Sequence, residues 1–222
     1  MSDDTRTQGY QKMQLELNSD DSVRSENIRQ TQANFTYTYG LQETLDAAIN
    51  FNYQVLKDPN AASNQGMGDS SAYIKWRFYK RGTWSFAVRP QLNLPTGNSN
   101  KSLGNGRLGY SAYMISTYSS MKYTVLTNTG ITYNDNMIGV RNKLWNTSAA
   151  VLVDASSKAK FVIETGASRN TDYTVHQPAL FCIAGLIFNP NNKFDIDVGY
   201  RKGLNRSDVN HSWGVGLTYH GT

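Results

Sequence analysis

Three glycines, Gly104, Gly106 and Gly109, have the spacing of the dinucleotide-binding pattern G-x-G-x-x-G. In nucleotide-binding proteins these glycines follow a strand and open a helix, whose backbone N–H groups bind the pyrophosphate. After Gly109 the sequence alternates between apolar and polar residues, which is typical of a strand, and no helix begins. The carboxylate expected about 20 residues further on to bind the ribose is also missing. We therefore do not predict dinucleotide binding.

Phosphate binding by a P-loop and hydrolysis by a serine nucleophile also require particular residues in a particular arrangement. A P-loop is excluded in the segment GNSNKS because Asn100 stands where a glycine must precede Lys101. A hydrolase needs a serine, a histidine and a carboxylate or carboxamide close together. The three histidines lie in or beside predicted loops or near the last residue, and they are His176, His211 and His220. No nucleophile-elbow pattern is present, so we predict no catalytic residues, and a hydrolase stays the weakest alternative.

The composition gives little support to metal, cofactor or nucleic-acid chemistry. One cysteine, Cys182, excludes a disulfide framework within the chain and a metal site built from several cysteines. The 22 Lys and Arg residues exceed the 17 Asp and Glu residues by only five, and they are scattered along the chain. We therefore predict no cofactor, no metal and no nucleic acid partner. The longest apolar run, residues 179–188, is far shorter than the roughly 18–20 residues of a spanning helix.

An alternation with a period of two residues runs through nearly the whole chain. In Leu45 to Val55, for example, apolar side chains share one face of a strand and Asp, Asn and Gln side chains share the other. We expect a bulge at Pro90, because proline removes a hydrogen bond from the ladder. About twelve strands are predicted, near residues 10–18, 28–39, 44–56, 70–79, 83–94, 107–118, 121–133, 142–154, 158–170, 178–188, 193–203 and 211–220.

The connections between these strands alternate between long polar segments and tight turns. In an antiparallel meander this alternation places all long loops at one end and all short turns at the other. It is the layout of a transmembrane β-barrel with long outer loops and short periplasmic turns. The predicted fold is therefore all-β, a single antiparallel up-and-down transmembrane barrel covering residues 1–222. Residues 1–9 are expected to form a flexible periplasmic segment.

Strand length and aromatic placement indicate which face meets lipid. The predicted strands run about 10 to 13 residues, close to the length that crosses a bilayer at a tilt, and aromatic residues gather toward their ends, as in the girdles of membrane barrels. The charged residues at mid-strand then face the lumen. The predicted lumen-lining or solute-binding residues are Lys75, Arg77, Arg89, Glu164, Asp195, Asp197 and Arg201.

Asp195 and Asp197 share one face of one strand, so they could form an acid/base pair or a cation site. We favour a network in which they neutralise cations across the lumen, among them Arg201, Arg89, Arg77 and Lys75.

Several motifs resemble those of a known family. At GMGDSSAYIKWRFY, LPTGNSNKSLGNGRLGYS and FDIDVGYRKGLNRSDVNHSWGVGLTY the chain is similar to the outer-membrane barrels assigned to the MetA pathway of phenol degradation. The likeness runs from about Gln32 onward. The family's G-x-G-D element matches Gly66, Gly68 and Asp69, and its proline–threonine–glycine loop begins at Pro95. Two features depart from the usual pattern of such barrels, since no secretory signal is present and the last residue is not aromatic.

These observations together predict a barrel in the outer membrane of a Gram-negative bacterium. We expect passive uptake of small solutes, and the resemblance extends this to aromatic or hydrophobic compounds. Outer-membrane lipid and small-molecule solutes are the expected partners. The main alternative is a non-conducting structural or surface-adhesion barrel that acts through its outer loops.

Overall fold

Twelve strands of alternating sequence pair in a ring in the computed structural model, which describes residues 2–24, 27–60 and 62–221. A short thirteenth strand lies beside them. The bounds of the strands are β1 Met13–Val23, β2 Arg29–Gln42, β3 Leu45–Lys57, β4 Asn64–Met67, β5 Ser70–Arg81, β6 Trp84–Leu94, β7 Gly109–Ser119, β8 Tyr123–Tyr133, β9 Lys143–Ser156, β10 Ala159–Ser168, β11 Ala179–Asn191, β12 Phe194–Gly203 and β13 His211–Gly221.

Closure of the ring gives every wall strand a hydrogen-bonded neighbour on both sides. Each strand pairs antiparallel with its neighbours in chain order, β3 pairs with β5, and β1 pairs with β13 to close the seam. The short β4 adds to the end of β3 that lies away from the tight turns. A closed ring leaves no unpaired strand edge in hydrocarbon, where an unsatisfied N–H or C=O is costly. The predicted all-β antiparallel barrel of about twelve strands is confirmed.

The strand predictions were wrong in three details. The first strand, predicted near residues 10–18, is Met13–Val23: Gly9 and Gln11 have positive φ angles of 88° and 62° and break the extended backbone before it, and residues 19–23, predicted to be a loop, pair with β2 and β13. The short β4 lies in a segment for which the sequence predicts a polar loop. Pro90 causes no bulge: its missing N–H interrupts the pairing with β5, but the register is the same on both sides, and the extra residue is Phe78 instead.

Large apolar side chains cover the outer face of the barrel. At mid-strand Leu17, Ile163 and Val215 are 55%, 63% and 57% exposed, which would be unfavourable in water over so many strands. Aromatic rings pair near the tight turns, as in the contact of Trp84 with Tyr118, whose ring centroids lie 5.0 Å apart. An apolar band with aromatic rings toward its ends fits a lipid-facing wall. Among the described residues, no helix has the length and apolar character needed to cross a membrane.

The two ends of the barrel differ in the predicted way. Short turns join β2 to β3, β5 to β6, β7 to β8, β9 to β10 and β11 to β12 at the end that we call periplasmic. The longer loops lie at the opposite, outer end. There the carboxylate of Asp69 accepts hydrogen bonds from the backbone N–H groups of Gly97 at 3.0 Å and Asn105 at 2.7 Å. Asp69 thus ties together the loop that contains Gly104 and Gly106.

Substitution by arginine on the outer face of the barrel tests whether this face contacts lipid. Ile163→Arg at the middle of β10 should lower the free energy of unfolding by about 2–4 kcal/mol in lipid vesicles, because it buries a charge in hydrocarbon. Met121→Arg, at a turn residue that is 97% exposed, should cost about 0–1 kcal/mol. Urea titration of both variants measures the difference. Equal costs at the two positions would contradict a lipid-facing Ile163.

Candidate functional site

The lumen contains the chain's own N-terminal segment, residues 2–8, and residues 9–12 connect it to β1. The backbone N–H of Ser2 donates to Glu164 Oε2 at 2.9 Å, and its hydroxyl donates to Oε1 at 2.8 Å. The N–H of Thr5 donates to Thr117 Oγ1 at 3.1 Å. These partners lie on the inner faces of β10 and β7, so the segment is inside the barrel. This differs from the periplasmic segment that we expected for residues 1–9, of which Met1 lies outside the described residues.

Two glycines make the turn by which the segment enters the barrel. Gly9 has a φ of +88°, a conformation that favours glycine. A Cβ atom at Gly40 of β2 would lie 1.8 Å from the carbonyl oxygen of Gly9. The backbones are also hydrogen-bonded, since Gln11 N–H donates to Gly40 O at 2.9 Å and Gly40 N–H donates to Lys12 O at 2.8 Å. The end of β2 therefore holds the segment at the periplasmic mouth.

Asp3 pairs with two cations of the wall. Arg89 Nη1 lies 2.9 Å from Asp3 Oδ2, and Lys75 Nζ lies 3.4 Å from Oδ1. Asn128 Nδ2 donates to the backbone oxygen of Asp3 at 2.8 Å, and Asn128 Oδ1 accepts from its N–H at 3.2 Å. Lys75 is only 7% exposed. Away from bulk water, a charge-assisted hydrogen bond is stronger and an unpaired charge is more costly.

Aromatic rings fix the orientation of Arg89. Its guanidinium carbon lies 5.0 Å from the ring centroid of Tyr73 and 4.4 Å from that of Tyr113. Both distances are within the range of cation–π attraction. The Nε atom of Arg89 is buried and has no hydrogen-bond partner among the described residues. The guanidinium therefore points one nitrogen at Asp3 while its faces contact the two tyrosines.

A second ion pair lies within the N-terminal segment itself. Arg6 Nε bonds to Asp4 Oδ2, and the backbone N–H of Arg6 donates to Asp4 Oδ1 at 2.8 Å. Burial raises the pKa of Asp4, but the Arg6 guanidinium and the Lys75 ammonium lower it by more, so this pKa lies below its ordinary value. Asp4 is therefore ionised at neutral pH and adds negative charge beside Lys75.

The predicted lumen residues fall into three groups. Lys75, Arg89 and Glu164 contact the N-terminal segment. Asp195, Asp197 and Arg201 line the remaining cavity. Arg77 lies at the periplasmic mouth, where Nη2 donates to Glu43 O at 2.9 Å.

The predicted neutralisation across the lumen is wrong. Among the described residues, no arginine or lysine lies within ion-pair distance of Asp195 or Asp197. Arg201 pairs with Asp208 of the following loop at 2.8 Å, and Asp195 pairs with His220 at 3.0 Å. Residues of the neighbouring strand or the following loop, and Asp3 of the segment, take the place of the expected partners across the barrel.

An open cavity of about 1040 Å³ remains beside the N-terminal segment. It adjoins a smaller cavity of about 370 Å³ at the outer mouth, since several wall residues line both. The larger cavity has a polar side formed mainly by β1, β2, β12 and β13 and an apolar patch on β8, β9 and β11. The patch consists of Leu126, Leu152, Ile183 and Ile187. The smaller cavity is lined by the side-chain amides of Asn34, Asn50, Asn52, Gln54, Gln91 and Asn93.

An outer loop narrows the smaller cavity. Gln54 Nε2 donates to the backbone oxygen of Leu103 at 2.9 Å, and Leu103 is 2% exposed. The loop between β6 and β7 therefore bends inward over the mouth. The glycines first considered for nucleotide binding belong to this loop; a Cβ atom at Gly104 would lie 2.3 Å from Asp69 Oδ1.

Neither a metal site nor a hydrolase site is assembled in the part of the chain that the structure describes. No group of three His, Cys, Asp or Glu side chains is arranged to hold a metal ion there. His220 bonds to Asp195, and His211 stacks on Tyr200 with ring centroids 6.4 Å apart. No serine hydroxyl is hydrogen-bonded to a histidine within the described ranges. Nothing in this arrangement supports a Ser–His nucleophile.

The sequence profile of the family described as MetA-pathway of phenol degradation matches residues 3–220. No curated protein matches the chain by sequence. The closed ring and the apolar outer face are shared with outer-membrane barrels of Gram-negative bacteria, and they place the chain in that membrane.

Three solved outer-membrane barrels illustrate the structural likeness. The COG4313 outer membrane channel from Pseudomonas putida F1 has a TM-score of 0.78 at 11% identity, with 98% of each chain covered. The KdgM porin has a TM-score of 0.64 at 7% identity, over 93% of this chain and 98% of that one. The CymD monoaromatic hydrocarbon channel has a TM-score of 0.55 at 8% identity, over 97% and 89%. At these identities the likeness shows the fold alone.

A side chain at Gly40 should expel the N-terminal segment. In Gly40→Val the new side chain occupies the place of the Gly9 carbonyl, so the entry turn cannot form. Thr5→Cys in a Cys182→Ser background reports the result, because Thr5 is only 1% exposed. Labelling of this cysteine by a water-soluble maleimide should become at least about tenfold faster, since local displacement exposes it.

Gly199→Ala serves as the matched control, since a Cβ atom there has its nearest neighbour at 3.6 Å. It should leave the labelling rate of Thr5→Cys unchanged. Rapid labelling of Thr5→Cys without any glycine substitution would contradict a segment bound inside the lumen.

Proposed function

This chain belongs to the MetA-pathway of phenol degradation family, and from that premise we propose that it is a passive outer-membrane channel for small solutes, including aromatic ones. The observation that carries the proposal is the pair of adjoining cavities inside a closed barrel. They run from the outer mouth to the side of the N-terminal segment. Their walls carry hydrogen-bonding groups, which replace the water around a passing solute.

The aromatic part of the proposal rests on the apolar patch of the larger cavity. Leu126, Leu152, Ile183 and Ile187 present hydrocarbon to the lumen opposite polar side chains. A small solute with an apolar ring and a polar substituent matches both sides of this cavity. The name of one similar structure, a monoaromatic hydrocarbon channel, is consistent with this class of solute, although it describes that protein.

The predicted lumen residues take different roles in this channel. Asp195, Asp197 and Arg201 face the open cavity and would meet a solute directly. Lys75 and Arg89 hold Asp3, so they set how firmly the N-terminal segment occupies the lumen. Passage of a solute larger than an ion would need the segment to shift, because it lies across the barrel between β3 and β10.

The second candidate is a barrel that conducts nothing and serves as a scaffold for its outer loops. The specific observation that favours it is the occupation of the lumen by the N-terminal segment, together with the inward bend of the loop at Leu103. A plug that never moves would leave only the loops to act. The two candidates differ in whether any current passes.

Conductance in planar lipid bilayers separates these candidates. The full chain should show a small, steady ionic current, and a variant lacking residues 2–8 should show a current several-fold larger, because removing the segment widens the conducting path. Bilayers without protein, and bilayers to which heat-denatured protein has been added, serve as controls. The Ile163→Arg protein is not used, because this substitution is expected to destabilise the barrel. Absence of current from both the full chain and the shortened variant would reject the channel and favour the scaffold.

A further inference from the structure

The contacts of Asp3 have the form of a carboxylate-binding site. Each of its two oxygens meets a different wall cation, Lys75 of β5 and Arg89 of β6. A carboxylate shared between two cations makes strong charge-assisted hydrogen bonds. In this site the side chain of Asp3 stands in for the carboxylate of a free acid.

The surroundings of this carboxylate suit an aromatic acid in particular. The rings of Tyr73 and Tyr113 flank the guanidinium of Arg89, and an aromatic ring stacks readily on both tyrosine faces and guanidinium planes. Arg89 Nε is buried and unpaired within the described part of the chain. Asn128, which both donates to and accepts from the Asp3 backbone, offers a partner for a hydroxyl or carbonyl substituent.

The wall and the segment are held in very different ways. Lys75, Arg89, Tyr73 and Tyr113 belong to strands that are fixed by ladders on both sides. Asp3 belongs to a segment that pairs with no strand along residues 2–8. If Asp3 leaves without a replacement, two cations remain unpaired at a largely buried position, which is strongly unfavourable. A second anion would remove this penalty and so favour release of the segment.

A solute has access to this position. Asp3, Tyr73, Lys75 and Arg89 all line the cavity of about 1040 Å³, which adjoins the cavity at the outer mouth. An acid that arrives through the outer mouth can therefore approach the two cations from the open side while Asp3 still occupies them.

We propose that Lys75, Arg89, Tyr73 and Tyr113 form a binding site for the carboxylate and ring of a small aromatic acid, and that Asp3 competes for this site. The solute displaces Asp3 and thereby releases the N-terminal segment from the wall. This inference rests on the proposed function, since it names the solute class and the event that opens the path.

Binding of benzoate to the full chain in detergent, measured by isothermal titration calorimetry, tests the site. Asp3→Asn should bind benzoate about tenfold tighter or more than the unchanged chain, because the competing carboxylate is gone. Asp20→Asn removes one acid from β1, which has no contact with Lys75 or Arg89, and should change the affinity less than about threefold. Benzamide, the neutral counterpart of benzoate, should show no dependence on Asp3.

Loss of the wall cation gives the opposite result. Arg89→Gln should abolish the benzoate binding gained in Asp3→Asn, and Lys75→Met provides a second variant should Arg89→Gln fail to fold. Folding is checked by the difference in electrophoretic mobility between the heated and the unheated protein. Benzoate affinity that is equal in the full chain and Asp3→Asn, or absent from a folded Asp3→Asn, would overturn the site.

The outcome is separable from that of the proposed function. If the chain conducts ions but its affinity for benzoate does not depend on Asp3, the proposed channel function stands and the proposed binding site is rejected. If neither the full nor the shortened chain carries current, but benzoate binds as expected, the proposed binding site stands and the proposed channel function is rejected.

Discussion

The attraction between the carboxylate of Asp3 and two cations of the wall decides what occupies the lumen. Lys75 and Arg89 project inward from neighbouring strands, and both side chains are largely shielded from bulk water. Removing one partner of a buried ion pair costs up to about 3–5 kcal/mol, largely because the other charge stays unpaired. The N-terminal segment supplies that partner, and its position across the barrel follows from the pairing.

The wall is shaped to receive the segment. Ala87, Ile115 and Ala150 are completely buried on the inner face, and the first two lie two residues from Ser85 and Thr117, which bond to Thr5. The short side chains of Ala87 and Ala150 leave room for the backbone of the segment, whereas the side formed by β1, β2, β12 and β13 stays open and polar. The asymmetry of the inner wall thus divides the barrel into an occupied half and an open half.

Much of the barrel could be predicted from the sequence because its wall obeys one local rule. The period of two residues predicts which side chains share a face of a strand, and the alternating loop lengths predict which strand ends lie at the same end of the barrel. Both predictions use only the local sequence and require no knowledge of long-range contacts. The lumen position of Lys75 and Arg89 followed from this alternation. The alternation after Gly109, where no helix begins, likewise argued against a nucleotide site at the loop glycines.

The contents of the lumen could not be predicted in the same way. Residues 2–8 have no periodicity, and Ser2 meets Glu164 across 162 positions of sequence, a contact that no local pattern encodes. The partner of Asp195 was also missed, because a carboxylate in a narrow lumen can bond to a side chain of the neighbouring strand, such as His220, as well as to a cation across the barrel. The face of a strand on which a side chain lies is set by the local sequence. The partner of a charged side chain depends instead on how the strands are arranged in the closed barrel.

A cross-link between the segment and the wall tests the central claim most directly. Thr5→Cys and Ser85→Cys, introduced together in a Cys182→Ser background, replace two hydroxyls that are hydrogen-bonded inside the barrel. Mild oxidation of the protein in lipid should join them in most molecules, while Thr5→Cys combined with Thr36→Cys on β2 should stay reduced. No disulfide in the first pair, or equal cross-linking in both pairs, would show that the segment does not lie where this account places it.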